Sequence, residues 1–516
     1  MPSSERDRHE WRGRTSQSTT IRSHPLLTII SYDSMRPQIY TRRLASIIYQ
    51  PRTMSAHSRP ARWMTTSPTS FSSSSPSFSA STPSTDIATS PTVGCFVNTG
   101  KIDLPNSSYM AYKLWSNMPN PTPKGVRYER PTNSTDPPQL NILAVHGRHD
   151  NAGSFDHLIP LMIPAWNAAM SPSSPPSSPS PCDSSPVRVN ILCIDLIGHG
   201  LSSWRPIDGK YGLHQHMCDL QMLLKELNWR EYMFIGHSMG AIIGMLLCGH
   251  RGRTHSISSS DSVSGSSSSP SPSAFLSPVL LGCVLLDPFR WENWRLRDSN
   301  DQPAAYSAYE DIMSLASELL PNKIDERRAI QSRPKRLYSS LDHARQAYQK
   351  TVPDIADTSV NTLLVRGTKH VTRPKVSATS PSSSTVDESG FIYSHDPLLG
   401  GSSLADLSRE EFGSSTSGIQ APGLCMHFRT EELLKDHAYI RHIDDLFRGS
   451  IFDRTNSDGL GRTVDVIGGH HLHLDRPSRI AQPMVDFLTR AWNQRHETRQ
   501  RLDAASRMSP PIASKL

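Results

Sequence analysis

No apolar run in this 516-residue sequence approaches the ~20 residues that a membrane-spanning helix needs. The chain is therefore read as having no transmembrane segment. No C-x-x-C pair occurs among its seven cysteines, Cys95, Cys182, Cys193, Cys218, Cys248, Cys283 and Cys425. Their number is odd, and Cys193, Cys283 and Cys425 fall inside apolar strand candidates, where they read as small buried hydrophobes. That usage suits a reducing compartment. The formal charge is +7 and the pI is near 9.0, yet no basic stripe interleaved with aromatics is present. Nucleic acid is accordingly not expected as a partner. Residues 34–85 lack Asp and Glu altogether while holding six arginines, Arg36, Arg42, Arg43, Arg52, Arg59 and Arg62. This is the composition of a mitochondrial transit peptide, with Met35 as a conceivable internal start, and equally that of a basic tail.

What is abundant is Ser, Thr and Pro in blocks. Residues 66–92, 171–186, 256–278 and 377–389 are of this kind. Such segments bury too little apolar area to offset their ordering entropy. We read residues 1–92 as a disordered basic tether, with 171–186 and 256–278 as insertions in the first part of a catalytic core, 93–287. Residues 288–420 read as a cap, 421–496 as the second part of the core, and 497–516 as a tail. The tail closes on Ser514-Lys515-Leu516, an address read by the peroxisomal import receptor, so a peroxisomal location is expected.

Between these blocks the sequence alternates buried strands and helices. Strands are expected at 95–104, 109–115, 140–145, 189–194, 232–235, 279–286, 423–428 and 463–467. Helices are expected from Ser154 as N-cap, at 213–227, from 241, through 431–447 and around 478–494. The rhythm implies an α/β fold with a mostly parallel, doubly wound sheet. The stretch 288–420 breaks it: charged, largely helical and placed after a strand end, it reads as a lid over a site.

Chemistry enters at Gly236-His237-Ser238-Met239-Gly240, which lies between a strand and a helix. In that context G-x-S-x-G is a nucleophile elbow. The turn is tight enough to require small residues two before and two after Ser238, and Gly236 and Gly240 meet the need. A serine hydroxyl needs a base, and the base needs an acid to orient it. In chain order Ser, acid, His, the base falls in Gly469-His470-His471-Leu472-His473. His470 is the first choice and His471 the second. A zinc site from His470, His471 and His473 is the rival reading, but no Cys or Glu cluster completes it, so neither metal nor cofactor is expected. For the acid, Asp287 closes the strand 279–286, whereas Glu432 stands in the loop after 423–428; Asp287 is preferred and Glu432 is kept. The oxyanion donors are expected to be the amides of Met239, at the start of a helix, and of Arg148, in the loop after 140–145. The Arg148 side chain is a candidate contact for an anionic substrate group.

These motifs resemble the α/β-hydrolase superfamily, and in particular its kraken-like and serine hydrolase-like branch. The residues carrying the resemblance are His146 to Asp156, Asp195 to Ser202, the elbow, Leu286-Asp287, Gly390 to Pro397 and Gly469 to Leu474, across roughly 95–494. The resemblance implies an α/β-hydrolase fold and a cofactor-free serine hydrolase, with some relatives associated with peroxisomes. The expected substrate is a small acyl compound, an ester or thioester, and the expected location points toward acyl chains. A C–C bond hydrolase or lactonase using the same residues is the alternative, as is a binding protein that kept the fold without activity.

Overall fold

The computed structural model describes residues 94–119, 138–170, 187–260, 278–289, 321–374, 387–401, 407, 409–455 and 460–508. The expectations for the tether, the block 171–186, most of 256–278 and 377–389, the opening of the cap and the C-terminal tripeptide fall outside these residues.

Eight strands form one sheet in the order β1-β2-β4-β3-β5-β6-β9-β10. They are β1 (Phe96–Asp103), β2 (Tyr109–Ser116), β3 (Gln139–Val145), β4 (Arg188–Ile194), β5 (Glu231–His237), β6 (Val279–Leu286), β9 (Gly423–Arg429) and β10 (Gly461–Ile467). β2 pairs antiparallel with β1 and β4, and every other pairing in this sheet is parallel. The central strands β3, β4, β5 and β6 are largely apolar on both faces, and their residues alternate between two cores. Along β3, Leu143 and Val145 join one cluster, whereas Leu140, Ile142 and Ala144 join the other. β5 divides in the same way, Tyr232 and Phe234 against Met233 and Ile235. The two-residue period of a strand produces this split, and helices cover both faces.

The first core contains residues of α2 (Leu213–Leu227) and α3 (Met239–Ser260), and the second those of α1 (Ile159–Met170) and α11 (Ala481–Met508). α2 forms where expected because Leu213, Leu220, Leu223, Leu224 and Leu227 recur at helical spacing and are all buried. It stops at Asn228, which takes a left-handed conformation with φ of 51°.

Two local expectations are corrected. Ser154 does not cap a helix: it lies within a 3₁₀ turn, Ala152–Phe155, capped by Asn151, and α1 begins only at Ile159. The span 431–447 is not one helix either. Asp436 turns the chain, and its carboxylate accepts from the Ala438 and Tyr439 amides, dividing it into α8 (Glu431–Lys435) and α9 (His437–Leu446).

Between β6 and β9 stand α4 (Pro321–Ser332), α5 (Leu341–Gln349), α6 (Asp357–Gly367), α7 (Arg409–Ser417) and one antiparallel hairpin, β7 (Thr368–Pro374) with β8 (Asp387–Tyr393). The described residues of this segment are largely helical. α7 packs on α3. The rest builds a third apolar cluster from Tyr338, Ala344, Ile355, Val360, Leu363 and Leu364, and this cluster takes in Leu474 from α10 (Leu472–Asp475). Buried polar links complete the attachment. Asn151 Nδ2 donates to the Leu363 carbonyl at 2.9 Å, and Arg366 Nε donates to the fully buried Asp195 carboxylate at 2.9 and 3.0 Å. Among the described residues, no helix is long and apolar enough to cross a membrane.

Candidate active site

Three parallel strands end at one edge of the sheet, where open α/β sheets place their ligand sites. Ser238 follows β5, Asp287 follows β6, and His470 follows β10. Ser238 has φ of 51° and Asp287 φ of 43°, both left-handed, a conformation non-glycine residues rarely adopt. The elbow is forced by close approach. A Cβ on Gly236 would stand 2.6 Å from Ala241 Cα, and one on Gly240 would stand 2.2 Å from the Val145 carbonyl oxygen. The Ser238 amide donates to the Leu286 carbonyl, and the Asp287 amide to that of Met426, so both turns are tied to neighbouring strands.

The side chains form one line. His470 Nε2 lies 2.9 Å from Ser238 Oγ, and His470 Nδ1 lies 2.5 Å from Asp287 Oδ2. The Phe428 amide donates to Asp287 Oδ1 at 3.2 Å. Burial pushes the Asp287 carboxyl up to about 7, against the opposing pull of His237, the Phe428 amide and Arg429. Glu432, the other candidate acid, is exposed on α8, where its carboxyl is held down by its own amide and Thr430. It has no part in this line, because the partner of His470 Nδ1 comes from the end of β6. His471, the second candidate base, also points elsewhere: its Nε2 is 3.5 Å from Asp150 Oδ1.

The loop after β3 runs against Ser238. A methyl group on Gly147 would stand 3.1 Å from Ser238 Cβ and 2.9 Å from His237 Nδ1, so only glycine brings the main chain this close. His146, fully buried, holds the loop: its Nδ1 donates to the Gly147 carbonyl at 2.7 Å and its Nε2 accepts from the Leu196 amide at 3.0 Å. The next amide in this loop is that of Arg148, and the first of α3 is that of Met239. Neither has an acceptor among the described residues. The Arg148 side chain donates to the Leu399 carbonyl at 2.8 Å, which ties it to the inserted segment.

Reading the sequence missed a second layer. His237 Nε2 donates to the His470 carbonyl at 2.9 Å. Its ring, held by burial down to about 4, also faces Asp150, with Nδ1 to Oδ2 of 3.4 Å. Burial acts to raise Asp150, but His471 and His237 beside it hold its carboxyl well below the usual range. Tyr348, from the inserted segment, donates to Asp150 Oδ1 at 3.2 Å. Asp150 and His237 stand in the two motifs already singled out, H-G-R-H-D and G-H-S-M-G, so their place beside Ser238 was the available signal.

The chain is similar to known proteins. A family model described as alpha/beta hydrolase fold matches residues 142–310. A serine hydrolase-like protein of Danio rerio is 22% identical over 348 residues, covering 67% of this chain and 81% of the relative. A probable serine hydrolase of Drosophila melanogaster is 24% identical over 368 residues, covering 68% and 81%. A human serine hydrolase-like protein is 30% identical over 108 residues, covering 21% and 42%. The chain has the α/β-hydrolase fold and resembles the serine hydrolase-like branch. Fold and relatives together support hydrolase activity.

Proposed function

We propose that this hydrolase cleaves carboxylic esters or acyl thioesters through a covalent acyl-enzyme on Ser238. The observation that carries the reading is the unbroken line Asp287 Oδ2, His470 Nδ1, His470 Nε2, Ser238 Oγ, with the serine held in a left-handed elbow. His470 Nε2 takes the Ser238 proton as Oγ attacks the acyl carbonyl, and returns it to the leaving alcohol or thiol. Asp287 keeps the proton of the neutral ring on Nδ1 and stabilises the imidazolium. The amides of Met239 and Arg148 receive the oxyanion, and Gly147 lets that loop approach. Water then attacks the acyl carbonyl with His470 as base, releasing the acid and restoring Ser238.

The test is labelling by a fluorophosphonate probe in wild type, Ser238→Ala and His470→Ala. Wild type is expected to label and both variants not to. A folded wild type that resists the probe overturns the reading.

A further inference from the structure

Beside Ser238 and the main chain of His470, three buried groups converge from three parts of the chain. They are Asp150 in the loop after β3, His237 at the end of β5, and His473 in α10. Each contributes one ligand-capable atom, and the three atoms lie within 4.8 Å of one another. His237 and His473 are fully buried, and Asp150 is 2% exposed.

The hydrogen bonds around them leave lone pairs facing inward. A carbonyl only accepts, so His237 Nε2 must donate to that of His470. In the neutral ring Nδ1 is then an unprotonated acceptor, and it faces the Asp150 carboxylate, another acceptor. Their separation of 3.4 Å is longer than a good N–H···O hydrogen bond, about 2.7–3.2 Å. It matches the edge of a tetrahedron drawn with metal–ligand bonds of about 2.0–2.1 Å, which is about 3.3–3.4 Å. His473 repeats the pattern. Its Nε2 lies 2.7 Å from Ser154 Oγ, and in the tautomer with the proton on Nε2 that nitrogen donates to Ser154 and Nδ1 is bare. That Nδ1 is buried with no hydrogen-bond partner among the described residues. Metal-bound histidines characteristically have one ring nitrogen on the ion and the other donating to a carbonyl or to a bonded polar group.

We propose that Asp150, His237 and His473 bind one divalent ion of the zinc class. Two imidazoles and one carboxylate suit a first-row transition metal better than magnesium or calcium, which favour all-oxygen shells. A proton on His237 would relieve its clash with Asp150 but would leave His473 Nδ1 unanswered; an ion answers all three groups. The ion takes no part in acyl transfer. It fixes the His237 ring, and through it the main-chain carbonyl of His470. The spacing of His470, His471 and His473 in sequence did not reveal this site, because two of its three members lie more than 230 residues upstream.

The experiment is cobalt titration of the full chain after chelator treatment and dialysis. The expected result is one equivalent of Co²⁺ bound with visible absorption of a tetrahedral nitrogen–oxygen centre, displaced stoichiometrically by Zn²⁺. Asp150→Asn and His473→Gln, each checked for a cooperative melt, should weaken binding by about 10- to 100-fold or more. The proposal is overturned if folded wild type binds substoichiometric Co²⁺ and Zn²⁺. It is equally overturned if the same spectrum persists in both folded variants, which would place the ion on other histidines. Neither outcome depends on whether Ser238 is reactive.

Discussion

His237, the residue immediately before Ser238, donates its Nε2 proton to the main-chain carbonyl of His470, 233 positions later, at 2.9 Å. One side chain therefore couples the elbow to the loop that carries His470. Replacing it by Ala should leave the fold standing while slowing fluorophosphonate labelling about 10²-fold, the effect expected of misplacement by about 1 Å. His237→Gln, which keeps a donor, should recover part of the rate. Equal rates for wild type and the Ala variant would remove His237 from any positioning role.

Asp287 and Glu432 give opposite expectations. Asp287→Asn keeps the shape of the acid but favours the wrong tautomer of His470, and turnover of an activated ester should fall about 10⁴-fold. Glu432→Gln alters an exposed carboxyl on α8 and should leave turnover unchanged. Steady-state kinetics of the two variants side by side decide between them, and a severe loss in the Glu432 variant would reverse the assignment.

The elbow glycines make a stability prediction. In Gly240→Ala the new methyl would meet backbone, the Val145 and His146 carbonyl oxygens at 2.2 and 2.6 Å, and neither can swing aside as a side chain would. A loss of about 3 kcal/mol or more is expected in urea unfolding. A variant as stable as wild type would mean that β3 and the elbow are less tightly packed than described.

Acid should weaken the fold through buried histidines. His216 is fully buried, and burial, assisted by nearby Arg205, holds its ring down to about 3. An unfolded histidine takes up its proton below about pH 6.5. Between these values the unfolded chain binds a proton that the folded chain refuses, so stability is intact above pH 6.5 and falls as pH drops. At pH 5.5 the loss is about 1.4 kcal/mol for this one residue. His395 and His427, each held at about 3 by burial, act in the same direction. Urea unfolding at pH 7.5 and 5.5 measures the difference, and His216→Phe should shrink it by its own share. An unchanged difference would show that this ring is not neutral in the fold.

The expected strands at 140–145, 189–194, 279–286 and 423–428 reappear with ends shifted by no more than one residue. A strand buried on both faces must be a nearly continuous apolar run, and that property is written locally. Ser238 and its flanking glycines were legible for a related reason: a tight turn leaves a spacing of small residues. Ser154 was misread because its hydroxyl goes to His473, 319 positions away, and no window around Ser154 contains that partner. The break at Asp436 was missed because the residues on either side keep good helical periodicity, while the capping carboxylate interrupts the backbone.

The sequence alone determined the alternation of strands and helices, the elbow, and the small set of residues that could serve as base and acid, since all of these follow from hydrophobic period, turn sterics and residue chemistry. The tertiary structure decided which carboxylate faces His470, because Asp287 and Glu432 both follow strands and only strand order and backbone conformation distinguish their reach. It also decided that Asp150, His237 and His473 share one buried space. Convergence of that kind arises when separate strand ends meet at one edge of a sheet, and no local pattern encodes it.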